Sequence, residues 1–140
     1  MIVLADKAHE IAQKAHFGQV DKAGVDYIKH PEAVASFVVT DEEKAVAYLH
    51  DVLEDTEVTL EFLREHGFPQ KILTAVDVLT KKKGQDYEDY LAVVKSNELA
   101  RVVKLADLRH NSDLTRLSQV TQKDLNRCKK YQDAINYLST

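Results

Sequence analysis

The stretch Ala45-Val46-Ala47-Tyr48-Leu49-His50-Asp51-Val52-Leu53-Glu54-Asp55-Thr56 places four polar, chemically able groups inside an otherwise apolar run. At about 100° per residue on a helix, His50, Asp51, Glu54 and Asp55 share an arc of roughly 140°, while Ala45, Leu49, Val52 and Leu53 fill the other side. The spacing predicts one helix with a core face and a chemical face. A solvated polar face is the ordinary meaning of such a pattern, but the run from Ala45 to Leu53 is too apolar for a surface helix. Matching partners also occur elsewhere: His30, just before Pro31, and Asp107 within Lys104-Leu105-Ala106-Asp107-Leu108-Arg109-His110-Asn111.

Two imidazoles and two carboxylates make a mixed nitrogen and oxygen ligand set that suits Mn²⁺, Fe²⁺, Ni²⁺ or Zn²⁺. Such a set implies an open, water-bearing site. The single cysteine, Cys128, excludes the cysteine-rich zinc architectures and reads as a reduced thiol packed on a late helix.

A chain of 140 residues is the size of one ordinary domain with one substantial core. The net charge of -4 and pI near 5.8 argue against a nucleic-acid binder, which needs an overall basic field. The apolar runs fall far short of a membrane span, and Met1 to Lys7 has neither the charged start nor the long apolar core of a signal peptide. A soluble cytoplasmic protein, bound to neither nucleic acid nor membrane, is expected.

With 4 glycines and 2 prolines, the apolar spacing is helical almost throughout. Leu4, Ala8, Ile11, Ala12 and Ala15 form the first stripe, and Gly18 stops it. Residues 18–30 read as a loop. Pro31 opens a second helix through Val34, Phe37 and Val38, and Asp41 caps a third that carries the His-Asp pair. Thr59 and Gly67 bracket a short helix, and Pro69 begins another with Ile72, Leu73, Val76 and Leu79 inside. Lys81-Lys82-Lys83-Gly84-Gln85 is an exposed turn, either plain surface or a phosphate-steering tract. Asp86 caps a helix with Tyr90 and Val94, residues 98–111 are helical, and Thr121 with Asp124 caps the last helix. Without a sustained alternating strand or a repeat, the fold class is all-α.

In order along the chain stand His16-Phe17-Gly18-Gln19, Lys22, Gly24, Tyr27-Ile28 and His30-Pro31, then Leu49 to Thr56, then Lys104-Leu105-Ala106-Asp107 with His110-Asn111. This ordered set resembles the HD-type hydrolase domain of the Rel/Spo alarmone enzymes, especially the free-standing small alarmone hydrolases, over nearly the whole chain. The resemblance implies a single HD-type helical bundle over residues 1–140, with no room for synthetase or regulatory domains. It implies metal ligands at His30, His50, Asp51 and Asp107, with Mn²⁺ the usual metal, and an acidic catalytic pair at Glu54 and Asp55. Lys22, Tyr27 and Asn111 fall where the family binds its nucleotide; Asn111 also lies four residues from Asp107 on the same helix face.

The activity so implied is removal of the 3′-pyrophosphate from guanosine tetra- or pentaphosphate, with a bound metal activating water and polarising a phosphate oxygen and Glu54 and Asp55 handling the proton. Some small members of the family resemble phosphatases for other nucleotides, including NADPH. A metal-stabilised nucleotide sensor is the non-enzyme alternative. His16 reads as a hydrogen-bonded pocket wall, His110 as either an outer partner of the metal site or a packed histidine, and His66 as a helix-end dipole partner. Three positions depart from the family pattern: Asp26 stands where a proline commonly precedes the tyrosine, and Asp21 and Asp113 stand where arginines are usual. Carboxylates there cannot stack on a purine and repel phosphate, which weakens the expectation for a guanosine alarmone in favour of another nucleotide.

Overall fold

The central helix of the bundle is built from small residues. Ala45, Val46, Ala47 and Leu49 are all fully buried in α3 (Asp41–Leu49), and their short side chains let neighbouring helices approach on several sides. The computed structural model describes residues 3–21 and 23–140, the side chain of Arg116 excepted. Packed around α3 are α1 (Leu4–Ala15), α2 (Lys29–Ser36), α6 (Gln70–Leu79) and α8 (Glu98–Asn111). The remaining helices are α4 (Val52–Asp55), α5 (Leu60–Glu65), α7 (Tyr87–Ser96) and α9 (Gln122–Leu138), with a 3₁₀ turn at Leu114–Arg116. Among the described residues the only strand-like pairing is one isolated bridge, Val20 to Asp26. The fold is all-α, as the apolar spacing requires. One core runs through it, with Leu49, Leu63, Ile72, Val76, Val103, Leu108 and Leu138 fully buried.

Helix ends follow local chemistry at several places. Thr121 and Asp124 form a reciprocal capping box at the start of α9, and Thr59 Oγ1 accepts the Phe62 N–H at the start of α5. The third helix begins differently from the sequence expectation. Its cap is Thr40, in a capping box with Glu43, and Asp41 is the first helical residue. The Asp41 carboxylate reaches across instead to the start of α1, where it accepts the Leu4 and Ala5 N–H groups at 3.1 and 2.9 Å. One side chain thus satisfies two of the unpaired donors of another helix.

The second helix is shifted toward the N-terminus. It starts at Lys29, with Pro31 in its first turn where a missing N–H costs nothing, and it ends at Ser36, leaving Phe37 as the C-cap and Val38 outside. That shift places His30 inside a helix rather than in the preceding loop. The loop itself doubles back on a short hairpin: Asp21 N–H donates to Val25 O, and Tyr27 N–H to Gln19 O at 2.8 Å. Gly24 turns it with φ +80°, a left-handed conformation that a Cβ disfavours.

Candidate metal centre

The helix carrying the His-Asp pair is not continuous. Its α3 portion stops at Leu49, and a new short helix, α4, starts at Val52 with Glu54 and Asp55 on it. His50 and Asp51 occupy the junction. The expectation of four groups on one helix is therefore corrected, and the cause is local: His50 Nδ1 lies 2.6 Å from Ala47 O. A continuing helix would offer that carbonyl to the Asp51 N–H. With the imidazole taking it, the chain turns, and His50 Nε2 and the Asp51 carboxylate face the same interior point.

His30 from α2 and Asp107 from α8 meet them there. His30 Nε2 lies 2.8 Å from Asp107 Oδ1, and His50 Nε2 lies 3.3 Å from the same oxygen. Asp51 Oδ2 is 3.0 Å from His50 Nε2 and 3.8 Å from His30 Nε2. Ligand atoms of His30, His50 and Asp107 lie within 4.8 Å of one another and all three residues are buried; Asp51 beside them is half-buried. His50 Nε2 is buried without a hydrogen-bond partner. With Nδ1 engaged on Ala47 O, that nitrogen faces two carboxylates, an arrangement a cation would complete. The two-nitrogen, two-oxygen donor set fits a divalent transition metal.

The two carboxylates draw positive charge to His50 Nε2, a proton when no metal is bound. Burial opposes charge on His50, but Asp51 and Asp107 outweigh it and hold the imidazole well above its ordinary pKa. Burial likewise opposes charge on Asp107, and Lys104 and His50 overcome it, holding the carboxyl well below the usual range. The Lys104 ammonium sits 3.0 Å from Asp107 Oδ2, and Asn111 Nδ2 donates to Asp107 Oδ1 at 3.0 Å. Both share a helix face with Asp107, three residues before it and four after. Lys104 was legible as part of a motif, but its ion pair was not.

Around the centre, the other sequence candidates take distinct places. The Tyr27 hydroxyl donates to Asp51 Oδ2 at 2.6 Å, and the Asn111 amide is engaged with Asp107, so both polar ends act on the candidate ligands themselves. Lys22 lies outside the described residues. Glu54 and Asp55 lie largely exposed at the rim; partial burial of their carboxyls raises the pKa of each above its ordinary value, and the Asp51 charge adds to it in both. His16 is buried, its Nδ1 3.0 Å from Gln19 Oε1, while Gln19 Nε2 donates to Asp55 O at 3.1 Å. His16 thereby supports the end of α4. His66 Nδ1 bonds Phe62 O at 2.8 Å at the end of α5.

The lysine tract divides in two. Lys82 Nζ donates to Asp77 O and Thr80 O and pairs with Asp77 Oδ1, so it closes the end of α6. Lys81 is exposed and close enough to Glu54 for its charge to favour the carboxylate. The two carboxylates that stand at expected arginine positions form turns: Asp21 Oδ1 accepts the Ala23 and Val25 N–H groups, and Asp113 Oδ1 accepts the Thr115 N–H. A groove of about 540 Å³ opens beside α4, bounded by Gln19, Asp55, Thr56 and Glu57. A wider one of about 690 Å³, between α7 and α9, contains none of the candidate ligands.

Comparison with known proteins bears on this arrangement. No family model matches the chain. A guanosine-3′,5′-bis(diphosphate) 3′-pyrophosphohydrolase of Borreliella burgdorferi is 32% identical, the match covering 89% of this chain and 20% of that protein. One of the same name from Spiroplasma citri is 35% identical over 75% of this chain and 16% of that protein. The bifunctional (p)ppGpp synthase/hydrolase SpoT of Escherichia coli K12 is 32% identical over 75% of this chain and 17% of that protein. The chain spans only about a sixth to a fifth of the length of these relatives. A solved structure described as a metazoan ortholog of SpoT that hydrolyzes ppGpp superposes with a TM-score of 0.77, covering 99% of this chain and 86% of that one at 20% identity.

An all-α bundle whose interior His and Asp side chains converge from three segments has the HD-type hydrolase architecture. Sequence relationship narrows the class: the chain belongs to the RelA/SpoT hydrolase-domain family.

Proposed function

We propose that the chain is one HD-type phosphohydrolase domain that removes the 3′-pyrophosphate from guanosine 3′,5′-bis(diphosphate), acting on a small nucleotide in the cytoplasm with Mn²⁺ as its metal. The observation that carries this reading is the meeting of His30, His50, Asp51 and Asp107 at one buried point, with His50 Nε2 lacking a hydrogen-bond partner. The names of the relatives supply the substrate class. Among the described residues no helix is long and apolar enough to cross a membrane.

His30, His50, Asp51 and Asp107 would hold the metal. When bound, it supplies Lewis acidity toward water and a phosphate oxygen. Around it the protein's own groups have separate tasks. Tyr27 and Asn111 orient the carboxylates of Asp51 and Asp107, while Lys104 offsets part of their negative charge. Glu54 and Asp55, with carboxyls made more basic by burial and by Asp51, take a proton from the attacking water. The water oxygen bonds to the phosphorus on the ribose 3′ oxygen, that P–O bond breaks, and the 3′ oxygen leaves with a proton. Guanosine 5′-diphosphate and pyrophosphate are the products. Lys22 and Lys81 supply positive charge toward the phosphates, and Tyr27 and Asn111 line the nucleotide side of the centre.

A second reading, hydrolysis of another nucleotide such as NADPH, is favoured by one observation: Asp21 and Asp113 put negative charge where the family resemblance leads one to expect arginine. One panel separates the two. Manganese-loaded protein is incubated with guanosine tetraphosphate, NADPH and common nucleotides, and products are identified by mass. The proposal expects pyrophosphate and guanosine diphosphate; orthophosphate release, or turnover of a different nucleotide alone, overturns it. Tight nucleotide binding with no turnover of any nucleotide would make the protein a sensor.

A further inference from the structure

We infer that His110 is a positioning residue of the candidate metal centre: it accepts the Nδ1 proton of His30 and so fixes which nitrogen of His30 faces the metal. This rests on the reading of His30, His50, Asp51 and Asp107 as metal ligands. An imidazole that ligates through one nitrogen keeps its proton on the other, and that N–H needs an acceptor to set the tautomer and the ring angle. For His50 the acceptor is the Ala47 carbonyl. His30 presents Nε2 to the centre, 2.8 Å from Asp107 Oδ1, so its Nδ1 needs an acceptor elsewhere. The group it meets is His110 Nδ1, at 2.7 Å.

The two rings meet edge to edge. Their centroids are 5.0 Å apart with 24° between the planes, and a nitrogen–nitrogen separation of 2.7 Å fits two nearly coplanar rings sharing a hydrogen bond rather than a face-to-face stack. At that distance one Nδ1 must carry the proton and the other the lone pair. With His30 Nε2 given to a metal, His30 Nδ1 is the donor, His110 Nδ1 the acceptor, and the proton of His110 sits on its Nε2.

The geometry also explains how His30 is held. Both of its ring nitrogens touch groups on α8, Nε2 touching Asp107 and Nδ1 touching His110, which lie three residues apart on one helix. One rigid element therefore carries a ligand and the brace for a second ligand that arrives from α2. Phe37 flanks the His110 ring at 6.3 Å between centroids, and the Arg109 guanidinium covers Phe37 at 4.3 Å.

Calorimetric titration of the metal-stripped full chain with Mn²⁺ tests this, comparing wild type, His110→Phe and His110→Asn. Phenylalanine keeps the ring but offers no acceptor, whereas the asparagine Oδ1 can stand near the place of Nδ1. Loss of an outer partner of a ligating histidine typically weakens metal binding about 10- to 100-fold, and that is the effect expected for His110→Phe, with His110→Asn restoring most of the affinity. Equal affinity of His110→Phe and wild type overturns the inference, as does an asparagine variant no better than phenylalanine. Absence of Mn²⁺ binding by wild type strikes the metal-centre reading instead. A second measurement needs no substitution: long-range ¹H–¹⁵N spectra of the Zn²⁺-loaded wild type should show His30 protonated at Nδ1 and His110 protonated at Nε2. A proton on His110 Nδ1 contradicts the assignment.

Discussion

The Tyr27 hydroxyl donates a 2.6 Å hydrogen bond to Asp51 Oδ2, joining the loop after α1 to the junction between α3 and α4. Burial first, and the Asp51 charge second, push the hydroxyl pKa well above its ordinary value, so it stays a donor at all working pH. Tyr27→Phe removes that donor while keeping the ring that packs against His16 and His30. A bond to a charged acceptor is worth about 1.5–3 kcal/mol, so the variant should fold normally yet bind Mn²⁺ roughly tenfold or more weakly. Metal titration beside a thermal melt checks it; unchanged affinity would mean that Asp51 is oriented by other contacts.

Glu54→Gln and Asp55→Asn should retain metal and fold but lose about 10²- to 10⁴-fold in turnover, the range for a lost acid–base group. Their pH profiles carry a sharper sign. Burial raises Glu54, and the Asp55 and Asp51 charges raise it further. Turnover that needs ionised Glu54 falls as pH drops through that raised pKa. Removing the Asp55 charge lowers the Glu54 pKa, so the acid limb of the residual Asp55→Asn activity should move to lower pH. A limb that stays in place would show that Glu54 does not set it.

Selectivity turns on Asp21 and Asp113, whose carboxylates each accept backbone N–H groups in a turn. Replacing them by arginine would break those turns along with changing the charge. Asparagine is the cleaner probe, since its Oδ1 keeps the acceptor role and only the charge is removed. Asp21→Asn with Asp113→Asn should lower KM for guanosine tetraphosphate several-fold at low salt, with the difference shrinking as salt screens the field. An unchanged KM at every ionic strength would remove these residues from the account of specificity.

Stability is predicted to depend on two caps remote from the chemistry. Thr40→Ala disrupts the capping box of α3, and Asp41→Ala strips the acceptor from the first N–H groups of α1. Each should cost about 1 kcal/mol in denaturant unfolding while leaving turnover intact. A loss of activity with no loss of stability would tie the start of α3 to the site.

What the sequence makes legible is whatever depends on near neighbours. The apolar stripe of α1, the Thr121–Asp124 box and the pairing of Asp107 with Asn111 all follow from spacings of three and four residues. The break at His50 was hidden because the competing acceptor, Ala47 O, is backbone. Asp41 read as a cap for its own helix, yet it serves Leu4 and Ala5, more than thirty residues away. His110 was ambiguous for the same reason: its partner, His30, lies 80 positions earlier. Lys82 looked like surface charge until the carbonyl ends of α6 came within its reach.

Metal content is the most direct measure of the central claim, that His30, His50, Asp51 and Asp107 act as one site. Elemental analysis of protein equilibrated with Mn²⁺ and freed of excess should give one equivalent per chain for wild type. Asp51→Ala and Asp107→Ala, each folded by circular dichroism, should give far less. A full equivalent retained by both variants would contradict the account.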